Sequence, residues 1–155
     1  MKPRFKIVIS DTSCLILLSK IKELELLTKL FDEVYTTFEI LEEFRTPLPD
    51  WIRIKAPKDD HYQKILELEM GKGEASAISL YFEIKNSIII LDDLKARKLA
   101  EKLSIDYTGT FGIVLRAKKL GIIKSVKPIL AKIRNTNFRF SENVFETVLK
   151  EAGEF

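Results

Sequence analysis

The sequence predicts an α/β fold: a three-layer α/β/α sandwich around a mostly parallel central sheet of four to five strands. Short apolar runs such as Ile7-Val8-Ile9 and Ile88-Ile89-Ile90-Leu91 alternate with longer segments of helical periodicity, which is the pattern of strands joined by helical crossovers. Each of those two runs is followed by an acid, Asp11 after Ser10 and Asp92 at once, where a strand would give way to a turn and a helix cap. The chain has 155 residues, 46% of them apolar, and no low-complexity tract or repeat divides it, so a single domain over residues 1–155 is expected.

Residues 6–10 read as a short buried strand, and Asp11-Thr12-Ser13 supplies capping residues for a helix that begins near Cys14. A second helix over about residues 22–31 carries Leu24, Leu27 and Leu30, with Leu26 and Phe31 widening its apolar face. A strand over residues 33–36 follows, and Thr37 caps a helix to about Arg45. Pro47 and Pro49 then force a surface loop. Trp51-Ile52-Arg53-Ile54 alternates as an edge strand does, and Asp59-Asp60 opens a helix bearing Tyr62, Ile65, Leu66 and Leu68 that ends at Gly71-Lys72-Gly73. The helix beside Glu74 is apolar on nearly every side and belongs against the sheet. Strand 87–91, a helix over about residues 94–103 and a short strand near 106–108 follow. Thr110 is the expected cap of the next helix, with Gly121 its stop. Helices over about residues 126–134 and 141–151 close the chain.

Composition narrows the chemistry. The single cysteine, Cys14, excludes an internal disulfide, and the single histidine, His61, excludes a histidine-rich zinc site, which leaves oxygen as the plentiful ligand. No apolar run reaches the ~18 residues a bilayer span needs, and Met1-Lys2-Pro3-Arg4-Phe5 does not read as a signal peptide, so a cytoplasmic protein without membrane attachment is expected. Usage rich in Lys, Glu and Ile resembles that of hyperthermophile proteins. The net charge of +3 is unevenly spread: residues 92–140 hold 12 basic and 4 acidic side chains, against 13 and 15 in residues 1–91. Lys95, Arg97, Lys98, Lys102, Arg116, Lys118, Lys119, Lys124, Lys127, Lys132, Arg134 and Arg139 are thus candidates for a surface that binds a polyanion, their alternative being solvated helix faces.

The order of short motifs resembles a known family. Val8-Ile9-Ser10-Asp11-Thr12-Ser13-Cys14-Leu15-Ile16 is similar to the opening strand and Asp-Thr-Ser turn of PIN domains, small metal-dependent ribonucleases that include the VapC-type toxins. The segment from Val34-Tyr35 to Ile40-Leu41-Glu42-Glu43-Phe44 resembles the strand-to-helix segment of that family. Gly73-Glu74-Ala75-Ser76-Ala77-Ile78, Leu91-Asp92-Asp93 with Arg97 and Ala100, and Thr108-Gly109-Thr110-Phe111-Gly112 resemble blocks of the branch called the domain of unknown function 3368. The resemblance spans roughly residues 6–153. It departs from the family at Thr36-Thr37, where many relatives carry proline, and in having glutamate as the third acid where VapC toxins usually have aspartate.

The resemblance implies an endoribonuclease whose catalytic acids are Asp11, Glu43, Glu74 and Asp92. These, with Asp93, would hold Mg²⁺ or Mn²⁺, hard cations that take oxygen ligands. It further implies an RNA substrate, a homodimer, and a small antitoxin protein as a possible partner. Each acid also has a structural alternative: Asp11 as a helix cap, one of Asp92 and Asp93 as the cap of the next helix, Glu74 as a first-turn acid favoured by the helix dipole, and Glu43 as a solvent-exposed acid that competes with Glu39 and Glu42 on one helix. Ser13, Arg97, Thr108 and Thr110 are candidates to support the site or bind phosphate, with capping or a surface ion pair as the alternatives. His61 and Cys14 are expected to have no catalytic part. Apolar side chains at Leu15, Ile16, Leu18 and residues 24–30 are the expected dimer contact. A competing function is a non-catalytic nucleic-acid or protein binding module. Phosphomonoesterases of the haloacid dehalogenase kind also begin with strand-Asp-x-Asp, but here position 13 is serine and the general acid is missing.

Overall fold

The computed structural model describes residues 6–155, and the Met1–Phe5 stretch read above for a signal peptide lies outside them. Five parallel strands, β1 (Ile7–Ile9), β2 (Glu33–Thr36), β3 (Ile52–Ile54), β4 (Ser87–Ile90) and β5 (Tyr107–Thr108), line up in the order β3-β2-β1-β4-β5. The central strand β1 pairs with β2 through Val8 and Val34 and with β4 through Val8 and Ile88. Val8, Ile9, Ile88, Ile89 and Ile90 are all buried, as continuous apolar strands covered on both faces must be. The chain builds outward from β1 to β3 on one side, then crosses back and builds from β4 to β5 on the other. The order therefore reverses between β1 and β4, and in an open parallel sheet the crevice for ligands opens there, beyond the carboxyl ends of the strands.

Helices cover both faces, as the sequence predicts. One layer links α1 (Thr12–Lys20), α3 (Phe38–Phe44), α4 (His61–Leu66) and α5 (Lys72–Tyr81), with α3 touching α1 and α5 touching α3 and α4. Another links α2 (Leu26–Leu30), α7 (Thr110–Lys119) and α9 (Glu142–Glu151), while α6 (Leu94–Lys102) and α8 (Lys127–Arg134) complete the set. Ala75, Ala77, Ile78 and Leu80 of α5 are buried, which explains a helix with almost no polar face.

Three boundaries differ from the sequence reading, each for a local reason. The second helix is only Leu26–Leu30, because Lys22 adopts a left-handed φ of 58° and ends α1, its neighbour Glu23 donating back to the Leu18 carbonyl at 2.8 Å. Gly71-Lys72-Gly73 is not a break before the next helix; Gly71 is the N-cap of α5 and Gly73 lies inside it. α4 stops at Leu66, and both Ile65 within it and Leu68 beyond its end are exposed instead of packed. The expected dimer contact is also corrected. Leu15, Leu18, Leu26, Leu27 and Leu30 are spent on the protein's own core, and the large apolar side chains left in solvent include Phe38, Ile65, Leu68 and Phe82.

The C-terminus is fastened by one carboxylate. Glu154 Oε2 accepts hydrogen bonds from Lys118 Nζ at 2.7 Å and the Val126 N–H at 2.9 Å, and its Oε1 accepts from the Ser125 hydroxyl. These donors, Lys118 first, hold its pKa down at about 2, below the ordinary 4.5. A depressed carboxylate contributes stability above its unfolded value that is lost as the pH falls through the folded one. Glu154→Ala should therefore lower the melting temperature by a few degrees at pH 7, and the gap from wild type should close on titration from pH 4.5 down to about 2. A gap that persists at pH 2 would show that packing, not charge, carries the clasp.

Candidate functional site

Asp11 leaves β1 in an extended conformation and caps α1, its Oδ1 accepting the Cys14 N–H at 2.9 Å. Its second oxygen accepts the N–H of Asp92 at 3.0 Å, which ties the ends of β1 and β4 together at the point of strand reversal. Capping and membership of an acidic crevice are thus one geometry at Asp11, not alternatives. Only 4% of Asp11 is exposed.

Asp92 is held from the neighbouring strand. Thr110 donates its N–H to Asp92 Oδ1 at 2.9 Å and its hydroxyl to Oδ2 at 2.5 Å. Thr110 is the first residue of α7 and Gly109 is the N-cap, so the expected capping role of Thr110 is replaced by a grip on Asp92. Arg97 does not clamp a carboxylate bidentately: its Nε donates to the Leu91 carbonyl at 2.6 Å, and only Nη2 reaches Asp92 Oδ1, at 3.5 Å. Asp93 is exposed and caps α6 by accepting the Ala96 N–H at 2.9 Å. Ser13 is exposed on α1; the hydroxyl that reaches an acid from this turn is that of Thr12, which donates to Glu43 Oε1 at 3.2 Å.

Glu43 and Glu74 approach from two helices that are pinned together. The Thr37 and Ser76 hydroxyls lie 2.7 Å apart and join α3 to α5, and Ser76 also donates to the Gly73 carbonyl at 2.8 Å. A side chain at Gly73 would collide with Glu43, since its Cβ would fall 2.0 Å from Oε1. The bare glycine thus lets the Glu43 carboxylate settle against the start of α5, one residue from Glu74. Glu39 is engaged elsewhere, accepting from Gln63 Nε2 at 2.5 Å, which separates it from the site. Thr12, Gly73, Ser76 and Gly109 were not singled out from sequence. Their roles are contacts with residues 12 to 39 positions away in the chain, and no local pattern carries that signal.

The electrostatics mark an unneutralised anionic crevice. Burial first, then the charge of Asp92, pushes the Asp11 carboxyl from an ordinary 3.8 up to about 8, with Glu74 adding to the rise. Burial likewise raises Glu74, with Glu43 and Asp93 contributing. These mutual influences bring all five predicted acids into one electrostatic neighbourhood. Among the described residues the only cation paired with any of them is Arg97, on Asp92. The set is all oxygen, and each oxygen of Asp11 accepts one N–H, leaving lone-pair capacity on both. Such a donor set fits a hard divalent cation and supplies no soft or imidazole ligand.

Two expectations narrow. Of the basic stretch, Lys118, Lys132 and Arg134 are paired with Glu154, Glu23 and Glu142, and Arg116 lies half-buried over Phe31. Within that stretch the exposed lysines that follow the acids most closely in chain are Lys95, Lys98 and Lys102 on α6. Cys14 is fully buried beside Asp11, where burial raises its thiol pKa. One acidic trio was not anticipated: Asp59, Asp60 and His61 place possible ligand atoms within 4.8 Å of one another. All three are exposed, and His61 Nδ1 is already 2.9 Å from Asp59 Oδ1, so the trio lacks the burial that sets Asp11 apart.

A family model of the PIN domain, the domain of unknown function 3368, matches residues 7–154. No curated protein and no solved structure matches the chain.

Proposed function

Starting from a chain that belongs to the PIN domain family, we propose that it is a metal-dependent endoribonuclease that hydrolyses RNA phosphodiester bonds. The observation that carries this reading is Asp11: a buried carboxylate at the strand reversal, hydrogen-bonded to Asp92, with its pKa raised by burial first and then by the charge of Asp92. Asp11, Glu43, Glu74 and Asp92 would hold Mg²⁺ or Mn²⁺, with Asp93 at the edge of the set. A bound ion of this kind polarises the scissile phosphate and makes its water more acidic.

The chain's own residues supply placement. The Cys14 and Asp92 N–H groups fix the plane of the Asp11 carboxylate, and Thr110 fixes that of Asp92 with two hydrogen bonds. Placement before the reaction begins removes reorganisation from the barrier. Arg97 binds the Leu91 carbonyl through Nε and Asp92 through Nη2, and its Nη1 is the group left for an incoming phosphate beside Asp92. Lys95, Lys98 and Lys102 extend positive charge from there along α6 and attract the RNA backbone.

The same reading includes a small antitoxin protein and a homodimer as partners, supported by the apolar side chains of Phe38, Ile65 and Leu68 left in solvent. It places the protein in the cytoplasm, in keeping with its one unpaired cysteine; among the described residues no helix is long and apolar enough to cross a membrane.

The test is cleavage of a panel of single-stranded RNAs with Mn²⁺ or Mg²⁺. Wild type should cut, EDTA should stop it, and Asp11→Asn should lose about 100-fold or more in rate, the scale seen when one preorganised electrostatic group is removed. Wild type and Asp11→Asn that are equally inert across the panel would sink the enzyme reading. The binding-module reading would then stand if both also take up no metal by calorimetry.

A further inference from the structure

Resting on the reading of the chain as an RNA-cutting protein, we propose that the cavity beside Arg97 receives one unstacked nucleobase of single-stranded RNA and thereby selects where the strand is cut. The cavity has a volume of about 440 Å³ and lies between the end of β5, α7 and α9. That volume falls within the usual range for small-ligand pockets.

Its position follows from the acid site. Arg97 forms one wall, and the same guanidinium pairs with Asp92 on its other side. Gly109, also in the wall, sits so close that a Cβ there would meet Arg97 Nη2 at 1.8 Å and Asp92 Oδ1 at 2.8 Å. A phosphate held at the acids would therefore carry its neighbouring nucleotide directly to the cavity mouth.

The lining has the chemistry of base recognition. Arg97 lies 5.8 Å from the centroid of the Tyr107 ring, so a planar cation and an aromatic ring stand together at the entrance. Bases freed from a helix are held by stacking on such surfaces, and specificity then comes from hydrogen bonds to their edges. Phe111 contributes an apolar floor that cannot easily move, because its ring packs edge-on against Phe140 at 4.8 Å and Phe145 at 5.8 Å. The rim from α9 is polar: Asn143 offers both a donor and an acceptor, and Thr147 offers hydroxyl lone pairs while its proton goes to the Asn143 carbonyl at 2.7 Å. A base paired in a duplex cannot enter, so the cavity selects single strands.

The experiment pairs binding with cleavage. Asp11→Asn in EDTA, whose residue 11 is neutral at every pH and whose binding cannot depend on metal, is titrated with fluorescent hexaribonucleotides of A, C or U, alone and combined with Thr147→Trp or Asn143→Asp. Wild type and the same two α9 variants are mapped for cut sites in a randomised RNA with Mn²⁺. Thr147 and Asn143 are exposed helix positions, so both variants should fold. Thr147→Trp fills the cavity and should weaken the tightest hexamer about tenfold and flatten the cut-site preference. Asn143→Asp, which loses the amide donor, should reorder the three bases.

The two readings fail differently. If wild type cuts and Thr147→Trp changes neither binding nor cut sites, the base pocket is wrong and the nuclease reading stands. If wild type is inert yet Thr147→Trp weakens RNA binding, the pocket stands and the nuclease reading falls. If the Asp11→Asn protein binds no hexamer, the pocket is overturned.

Discussion

In EDTA the protein should lose melting temperature as the pH is raised from 5 to 8, by roughly 5–15 °C, and saturating Mn²⁺ should restore most of the loss. The sign follows from Asp11. Its carboxyl is held at about 8 in the fold by burial and by Asp92, against an ordinary 3.8 in the unfolded chain. Between those values the folded state keeps a proton that the unfolded state releases, so stability is greatest at the acid end and falls as pH rises, the loss being complete above about 8. Each unit of difference is worth about 1.4 kcal/mol, so the effect is on the order of a few kcal/mol and outweighs ordinary surface charges.

Asp11→Asn makes the origin visible. Asparagine accepts only one of the two N–H bonds that Asp11 accepts, from Cys14 and Asp92, and that loss costs about 1 kcal/mol at every pH. It also removes the buried charge, a larger gain once the wild type is ionised. The variant should thus melt below wild type at pH 5, above it at pH 8 in EDTA, and below it again at pH 8 with Mn²⁺. Calorimetric melting of both proteins at the two pH values, with and without metal, reads all of this. A constant gap between them, unmoved by pH or Mn²⁺, would mean that Asp11 is a helix cap and nothing more.

The contrast between Asp11 and Glu43 shows what was legible in the sequence. Asp11 stands one residue beyond an apolar strand, and the place of β1 at the centre of a parallel sheet fixes where that strand ends relative to β4. Local pattern plus topology therefore suffices to bring Asp11 and Asp92 together. Glu43 reaches the crevice because residue 73 has no side chain and because Thr37 and Ser76 pin two helices, facts that lie in packing between neighbouring helices of one layer. The same limit explains the helix ends. α7 ends at Gly121, whose φ of 76° is the signal that the glycine gave; α1 and α6 end in the same hydrogen-bonded turn with Lys22 and Ser104 in left-handed conformations, residue types that announce nothing. Charge patterning misleads for a related reason: Lys132 and Glu23, or Lys118 and Glu154, are far apart in sequence, and folding cancels charges that a running count leaves standing.

Gly109→Ala should cost about 100-fold or more in RNA cleavage, a larger effect than its single methyl implies. Gly109 has φ −119° and ψ −178°, a conformation open to any residue, so glycine is not required there by the backbone. Space is the constraint. The added Cβ would lie 1.8 Å from Arg97 Nη2 and 2.8 Å from Asp92 Oδ1, and neither can withdraw alone, since Arg97 is anchored by the Leu91 carbonyl and Asp92 by two bonds from Thr110. Relief must come from breaking the Arg97–Asp92 pair or shifting the β5–α7 turn, at about 1–3 kcal/mol of stability, as overpacked sites cost. Gly73→Ala is the matched control. Its Cβ meets Oε1 of Glu43, the far end of an exposed and flexible side chain, so melting should change little while Mn²⁺ affinity drops about tenfold as that carboxylate swings out. Melting curves, Mn²⁺ calorimetry and RNA cleavage on both variants separate the two kinds of damage. Should Gly109→Ala remain folded with cleavage and Mn²⁺ affinity within twofold of wild type, the fixed placement of Asp92 and Arg97 is not what the reaction requires, and the weight of the site shifts to Asp11 with the two glutamates.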